Sequence, residues 1–278
     1  MTKNRKQIAI AFLTFNSDKT IRNSLKKASK ISRNIYVVDS FSSDKTIEIC
    51  KSFHCKIIKR KFKNYSDQRN WIINKLNKKF LWQLHLDSDE VLDEQSIKKI
   101  NSLVKKKDLR KKAFLIKRKY YFLGKKLNFP GLNEWHLRLF QFGTTNCENT
   151  LYDQHFITYL KVNKIEGYMH DNDKLNLNDW KIKHKKWAIL EAKSIINKKN
   201  HINNFKNKND PRDFYRSIKI IYYKFPIFVR PFLYFIFRYF FKLGFLDGKI
   251  GLLFCFYQCL WFRILIDFEI LKLKKIIK

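Results

Sequence analysis

From the start of the chain to about Phe142, short apolar runs alternate with longer polar segments of helical period, and that rhythm constrains the fold more than any single residue. It is the pattern of strand, crossover helix and strand repeated along a chain. Residues 8–14, 34–38, 56–59, 81–86 and 113–121 are predicted strands, and residues 19–30, 44–53, 67–78 and 94–106 are predicted helices. The fold class that follows is α/β, a Rossmann-like mixed sheet flanked by helices. In open sheets of this kind, ligands bind beyond the carboxyl ends of the strands. Asn16, Asp39 and Asp87 each stand just past the apolar part of a strand, so three segments can bring polar groups to one crevice.

The fourth of these strands carries the sharpest local pattern, Trp82-Gln83-Leu84-His85-Leu86-Asp87-Ser88-Asp89-Glu90. Trp82, Leu84 and Leu86 fall on one side, Gln83 and His85 on the other, and the run ends in three carboxylates. Continued alternation puts Asp87 and Asp89 on a shared side. Two hard oxygen ligands can hold Mg²⁺ or Mn²⁺ but leave most positions to water or a substrate phosphate. The plain alternative is a solvated strand-to-loop corner, since Asp and Ser are ordinary turn residues. Only seven glycines are present, and they form neither GxGxxG nor the P-loop spacing, so a diphosphate would have to be neutralised by a cation and by side chains.

Charge and cysteine usage narrow the partners. The formal net charge of +35 suits nucleic acid or an anionic lipid surface. The lysines are dispersed rather than gathered into one block, and no zinc-finger spacing, basic zipper region or ribonucleoprotein motif is legible, which argues against nucleic acid. Cys50, Cys55, Cys147, Cys255 and Cys259 are odd in number and form no CxxC pair, as expected in a reducing cytoplasmic compartment. Basic residues 3–6 followed by apolar residues 8–15 imitate a signal peptide, but no small-residue cleavage site follows, and the segment reads as the first strand.

Beyond about Lys208 the character changes. Residues 225–242 are rich in Phe, Ile, Leu and Tyr, and Arg230, Tyr234, Arg238 and Lys242 recur at every fourth position as one polar stripe of a helix. Residues 250–266 repeat the style around Gln258 and Arg263, with residues 243–248 as a hinge. Neither stretch reaches about 20 uninterrupted apolar residues, so helices lying in a membrane interface are expected, with a buried helical hairpin as the alternative.

Taken in order along the chain, several segments resemble one family. They are Thr14-Phe15-Asn16; Val37-Val38-Asp39-Ser40 with Ser43-Asp44 and Thr46; Gln68-Arg69-Asn70; the carboxylate-ended strand; and Tyr121-Phe122-Leu123-Gly124 with Leu137-Arg138-Leu139-Phe140. Trp187-Ala188, Glu191-Ala192, Arg230-Pro231 and Gly244-Phe245-Leu246-Asp247-Gly248 extend the likeness almost to the C-terminus. The resemblance is to the family-two glycosyltransferases, in the bacterial branch that builds lipopolysaccharide cores, capsules and related polysaccharides.

That resemblance implies a GT-A fold with residues 1–207 as catalytic domain, its nucleotide-sugar half at about 1–110 and its acceptor half at about 111–207. Residues 208–278 would form a helical, membrane-associated region. It implies a hexosyltransferase-like enzyme that inverts the anomeric carbon of a nucleotide sugar, UDP-sugars first, and uses Mg²⁺ or Mn²⁺. The nucleotide sugar would meet Thr14, Asn16, Asp39, Asn70, Asp87 and Arg138; the metal would meet Asp89, Asp87 and His170. For Asp39, capping of the following helix is an alternative role. Glu134 or Asp153 would be the base on the acceptor hydroxyl. A His-Glu pair commonly follows the arginine strand in this family and is missing here, and Phe41 and Lys45 stand where relatives commonly have Gly. The acceptor would be lipid-linked or lipopolysaccharide, placing the protein on the cytoplasmic side of the inner membrane, peripheral or monotopic, against an anionic surface. A basic nucleic-acid-binding protein and a catalytically inactive membrane-docking scaffold are the competing readings.

Overall fold

The computed structural model describes residues 6–106, 111–129, 135–151, 154–198, 218–219 and 221–277. They fall into two compact units, the first drawn from residues 1–119, 134–149 and 154–174, the second from 120–133, 150–153 and 175–278. The expected boundary at 207/208 lies outside the described residues.

The first unit begins with β1 (Lys6–Thr14), α1 (Asp18–Ala28), β2 (Ile35–Asp39), α2 (Thr46–Ser52), β3 (Lys56–Lys59) and α3 (Tyr65–Asn77). It continues through β4 (Phe80–Asp87), β5 (Glu90–Leu92), α4 (Glu94–Lys105) and β6 (Ala113–Phe122). After β7 (Lys125–Lys126), which belongs to the second unit, come β8 (Trp135–Gln141), β9 (Thr145–Cys147), β10 (Phe156–Thr158) and β11 (Val162–Asp171). The sheet runs β3-β2-β1-β4-β8-β6-β11-β5. Its first four strands are parallel, and β8 turns the direction by pairing antiparallel with β4. The expected mixed α/β GT-A architecture is present.

Alternation along β1 explains the layers. Ile8, Ile10 and Phe12 join Trp82, Leu84 and Leu86 on one face, under Ile21 and Leu25 of α1 and Ile97 and Ile100 of α4. Ala9 and Ala11 face the other way, with Tyr36 and Val38, under Ile72 and Leu76 of α3. Helices on both faces bury every residue of β2. They also bury Gln83 and His85 completely, although both stand on the polar side of their strand's pattern. Gln83 Nε2 donates to the Ile73 carbonyl at 3.1 Å and to Asn77 Oδ1 at 2.8 Å, while His85 stacks on Phe140 with centroids 5.1 Å apart. Burial first, and then Arg69 and Arg138, hold the His85 imidazole well below its ordinary pKa.

The registers place the strand ends at one level. Thr14 lies opposite Asp39, and Leu13 lies opposite Asp87. The acidic strand end therefore sits beside the turns that follow β1 and β2.

The second unit holds α5 (Leu177–Lys198), α6 (Val229–Ile236) with a π turn at Phe237–Phe241, α7 (Gly248–Phe254) with a π turn at Cys255–Trp261, and α8 (Phe262–Ile277). Trp180 packs with Phe122, Phe254, Cys255 and Cys259, and Ala188 and Ala192 of α5 pack on Phe262, Ile266 and Ile270 of α8. The sequence places a hinge at residues 243–248. The structure makes 244–247 a 3₁₀ turn set between Leu243 at φ 56° and Gly248 at φ 61°, so the hinge is present, and by length and composition alone the stretch of 32 residues from Gly244 to Lys275 could cross a membrane. A Cβ at Gly251 would stand 2.1 Å from the Gly244 carbonyl oxygen, so this turn can close only with glycine there.

Candidate active site

The turns after β1 and β2 are tied into one unit by Asp39. Its carboxylate, fully buried, accepts from Thr14 Oγ1 at 2.8 Å, from the Ser42 N–H at 2.9 Å and from Ser42 Oγ at 2.5 Å. Asn16 interlocks with the same loop: its N–H donates to Ser42 Oγ and its Oδ1 accepts from the Ser43 N–H, both at 2.9 Å. Asn16 holds φ at 47° and Phe41 at 63°, left-handed values that an Asn tolerates and an aromatic residue rarely adopts. Phe41 thus takes a left-handed bend of the kind that glycine adopts most readily. Asp44, just before the start of α2, accepts from the Thr46 N–H at 2.9 Å, and the Asp39 carboxylate is spent on the loop.

At the end of β4 the chain leaves the extended conformation. Ser88 and Asp89 form a tight turn and Glu90 opens β5, so strand alternation does not carry to Asp89. Ser24 Oγ of α1 donates to the Ser88 carbonyl at 2.9 Å and pins this turn. Asp87 Oδ1 pairs with Arg69 of α3, and Asp87 Oδ2 with Arg138 of β8 at 3.0 Å. Arg138 also pairs with Glu90, whose other oxygen accepts the Asp87 N–H at 2.9 Å. One register position away, Asp171 of β11 lies opposite Glu90 and pairs with Arg118 at 3.1 Å.

This cluster spreads the acidities of its carboxyls. Burial would raise Asp87, but Arg138 and Arg69 hold it down at about 2. Burial pushes Glu90 up to about 7, with Asp87 adding to the rise and Arg138 opposing it. Asp171 is pushed up to about 6 by burial, against the pull of Arg118. Burial opposes the charge on Arg138, yet Glu90 and Asp87 raise its pKa above the ordinary arginine value. Strongly separated acidities at one strand end are typical of a site. Asp87 alone keeps substantial contact with water, its side chain 44% exposed against 2% for Glu90.

The structure brings Thr14, Asn16, Asp39, Asp87 and Arg138 to the same end of the sheet. Asn70 is committed elsewhere: its side chain exchanges two hydrogen bonds with the Cys147 backbone of β9, at 2.9 and 2.7 Å. Its neighbour Arg69 is the residue of that motif that reaches Asp87. Sequence spacing also passed over Glu90 as a partner of Arg138 and over the Arg118–Asp171 pair. His170 lies in β11 opposite Val91. Glu134 and Asp153, the two expected bases, lie outside the described residues.

For a divalent cation, the donor set fits in part. Both Asp87 oxygens already hold guanidinium donors, so Asp87 suits the arginines better than a metal. Among the described residues no group of three His, Cys, Asp or Glu side chains is placed to hold one. Asp89 fits as a single hard ligand, the arrangement for an ion that takes its remaining oxygens from phosphate and water. Anionic oxygens have further donors here: Arg69 Nη1 and Arg138 Nε are buried without a hydrogen-bond partner among the described residues.

Comparison with known proteins follows these features. No curated protein matches the chain as a relative. Among solved structures it is similar to S. aureus TarS, at 14% identity and TM-score 0.43, covering 83% of this chain and 52% of that one, so it spans about half of that protein. It is similar to S. aureus TarS 1-349 in complex with UDP-GlcNAc, at 11% identity and TM-score 0.42, covering 97% and 92% of the two chains. It is also similar to glucosyl-3-phosphoglycerate synthase from Mycobacterium tuberculosis in complex with Mn²⁺, UDP and glucosyl-3-phosphoglycerate, at 14% identity and TM-score 0.32, covering 41% and 44%. The family model for glycosyl transferase family 2 matches residues 10–161, more than half of the chain and the stretch from the middle of β1 to just past β10, and the protein belongs to that family.

Proposed function

We propose that the protein transfers a sugar, with inversion at the anomeric carbon, from a nucleotide-sugar donor to a hydroxyl of a lipid-linked or lipopolysaccharide acceptor. The observation that carries this reading is the common level of Thr14, Asp39 and Asp87, which sets the Asn16–Ser42–Ser43 loop beside the arginine-carboxylate cluster. A nucleoside suits the first and a diphosphate the second. The buried Asp39 acts by holding the loop in shape, and the loop's exposed polar groups face the ribose and base. Arg69 and Arg138, kept in place by Asp87 and Glu90, stabilise the charge that grows on the leaving diphosphate. A divalent cation bound through Asp89 would supply Lewis-acid stabilisation of the same charge.

Inversion in one step needs a carboxylate that takes the acceptor proton on the face opposite the leaving group, and Glu134 and Asp153 are the candidates. UDP-sugars head the list of donors. A lipid-linked acceptor would draw the protein to the cytoplasmic side of the inner membrane, a reading supported by the apolar length and composition of the helical stretch from Gly244 to Lys275. The test is donor hydrolysis with a panel of UDP-, GDP- and dTDP-sugars, with and without Mn²⁺. Hydrolysis of one nucleotide class that rises with Mn²⁺ is expected. No hydrolysis of any donor, with or without metal, would favour the inactive scaffold.

A further inference from the structure

The segment from Val229 to Phe241 is amphipathic in the opposite sense to a water-facing helix. Arg230 and Arg238 are 4% and 9% exposed, buried against their own unit, while Phe232, Phe237 and Phe240 are 53%, 44% and 53% exposed and Phe241 reaches 74%. The spacing is helical on both counts: the two arginines stand eight residues apart with Tyr234 midway, and the exposed apolar positions recur at three and four. Arg230 pairs with Asp267 of α8, and the Arg238 guanidinium lies over the Tyr234 ring at 5.4 Å. Arg230, Tyr234 and Arg238 of the polar stripe therefore turn inward, its last member Lys242 is exposed, and the phenylalanines face outward.

We infer that this outward face docks in the headgroup-acyl boundary of an anionic phospholipid bilayer. In water, a helix gains by hiding its aromatic residues and exposing its charges. In lipid the preference is reversed, with charges turned to the protein interior and apolar side chains outward. The apolar surface continues into Leu243, Phe245 and Leu246, and exposed Lys242 and Lys249 bracket that tip. Those lysines and the formal charge of +35 select the occupant. A second copy of the chain would be repelled, whereas anionic headgroups would be attracted at the edges where the phenylalanines enter.

This deepens the lipid-linked reading of the acceptor by naming the surface that meets the lipid, and it can stand or fall separately. The full chain is mixed with vesicles of phosphatidylcholine alone, or of phosphatidylcholine with phosphatidylglycerol, and sedimented. The comparison is with a Phe237→Ser, Phe240→Ser, Phe241→Ser variant and with a Lys242→Glu, Lys249→Glu variant. All five side chains are exposed, so the fold should survive their exchange.

The wild type should sediment with phosphatidylglycerol vesicles. The serine variant should lose about tenfold or more of that partitioning, and the charge variant should lose the preference for the anionic vesicles. A wild type that stays in the supernatant, or a serine variant that partitions like wild type, overturns the inference. So does self-association without vesicles that the serine substitutions abolish, because the face would then be a protein interface. UDP-sugar hydrolysis in vesicle-free buffer is read in parallel. Its absence in every preparation would count against the transferase reading, and vesicle binding would still decide the docking face.

Discussion

Two buried networks of arginine and carboxylate, Arg230 with Asp267 in the second unit and the strand-end cluster in the first, use the same residue types to opposite ends. In the second unit, Asp267 accepts from Arg230 Nε at 2.9 Å, from a second Arg230 nitrogen and from the Phe228 N–H at 2.9 Å. Its side chain is 1% exposed and its charge is met one for one. In the first unit, Asp87, Glu90 and Asp171 meet Arg69, Arg138 and Arg118, and Arg69 Nη1 and Arg138 Nε have no hydrogen-bond partner among the described residues. Asp87 still reaches water. A closed pair joins helices; an open network with donors to spare can meet a ligand.

The largest expected difference comes from breaking each network at its arginine. Arg230→Ala leaves Asp267 charged and enclosed and should cost roughly 3–5 kcal/mol in chemical denaturation. Arg138→Ala should cost less, about 1–2 kcal/mol, because Asp87 can turn to water and Glu90 can keep its proton. Equal losses would erase the distinction between the networks.

The pH dependence should also run in opposite senses in the two units. Glu90 loses its proton at about 7 in the folded protein, against an ordinary value of 4.5 when unfolded. Between those values the folded form binds more protons, so this group's contribution to stability falls as pH rises, by up to roughly 3 kcal/mol. In the second unit, burial holds His184 at about 3, below its ordinary 6.5, against the Trp180 carbonyl that would raise it. There the unfolded form binds more protons, and stability falls as pH is lowered from 6.5 towards 3. Hydrogen exchange resolved by segment should show both trends, with Glu90→Gln removing only the first and His184→Gln only the second.

Smaller effects sharpen the role of the strand-end loops. Asn70→Ala removes the clasp on β9 and should cost about 1–2 kcal/mol in thermal unfolding. Phe41→Gly should instead stabilise by about 1 kcal/mol, since a 57% exposed aromatic residue at φ 63° has backbone strain to relieve and little burial to lose. A loss of stability in that variant would mean that the Phe41 ring carries packing that its exposure hides.

Much of the first unit was legible because its strands are short, apolar and separated by helical segments, and β1, β2 and β4 fall where that rhythm puts them. The convergence of Asn16, Asp39 and Asp87 follows from parallel strands alone. The arginine partners were not legible, because Arg69, Arg118 and Arg138 come from a helix and two antiparallel strands whose register no local pattern reveals. Local spacing likewise marked Asn70 without showing that β9 would claim it. In α6 the four-residue stripe was plain in the sequence, but its inward direction depends on Asp267, 37 residues away.

The central claim, that the acidic strand end is where a nucleotide sugar reacts, is tested most directly by metal-dependent donor hydrolysis in wild type and in Asp89→Ala, with thermal unfolding of both. The expected result is hydrolysis of one nucleotide-sugar class by the wild type and a loss of about 100-fold or more in the variant at unchanged stability. Full hydrolysis by Asp89→Ala under the same conditions would contradict the account.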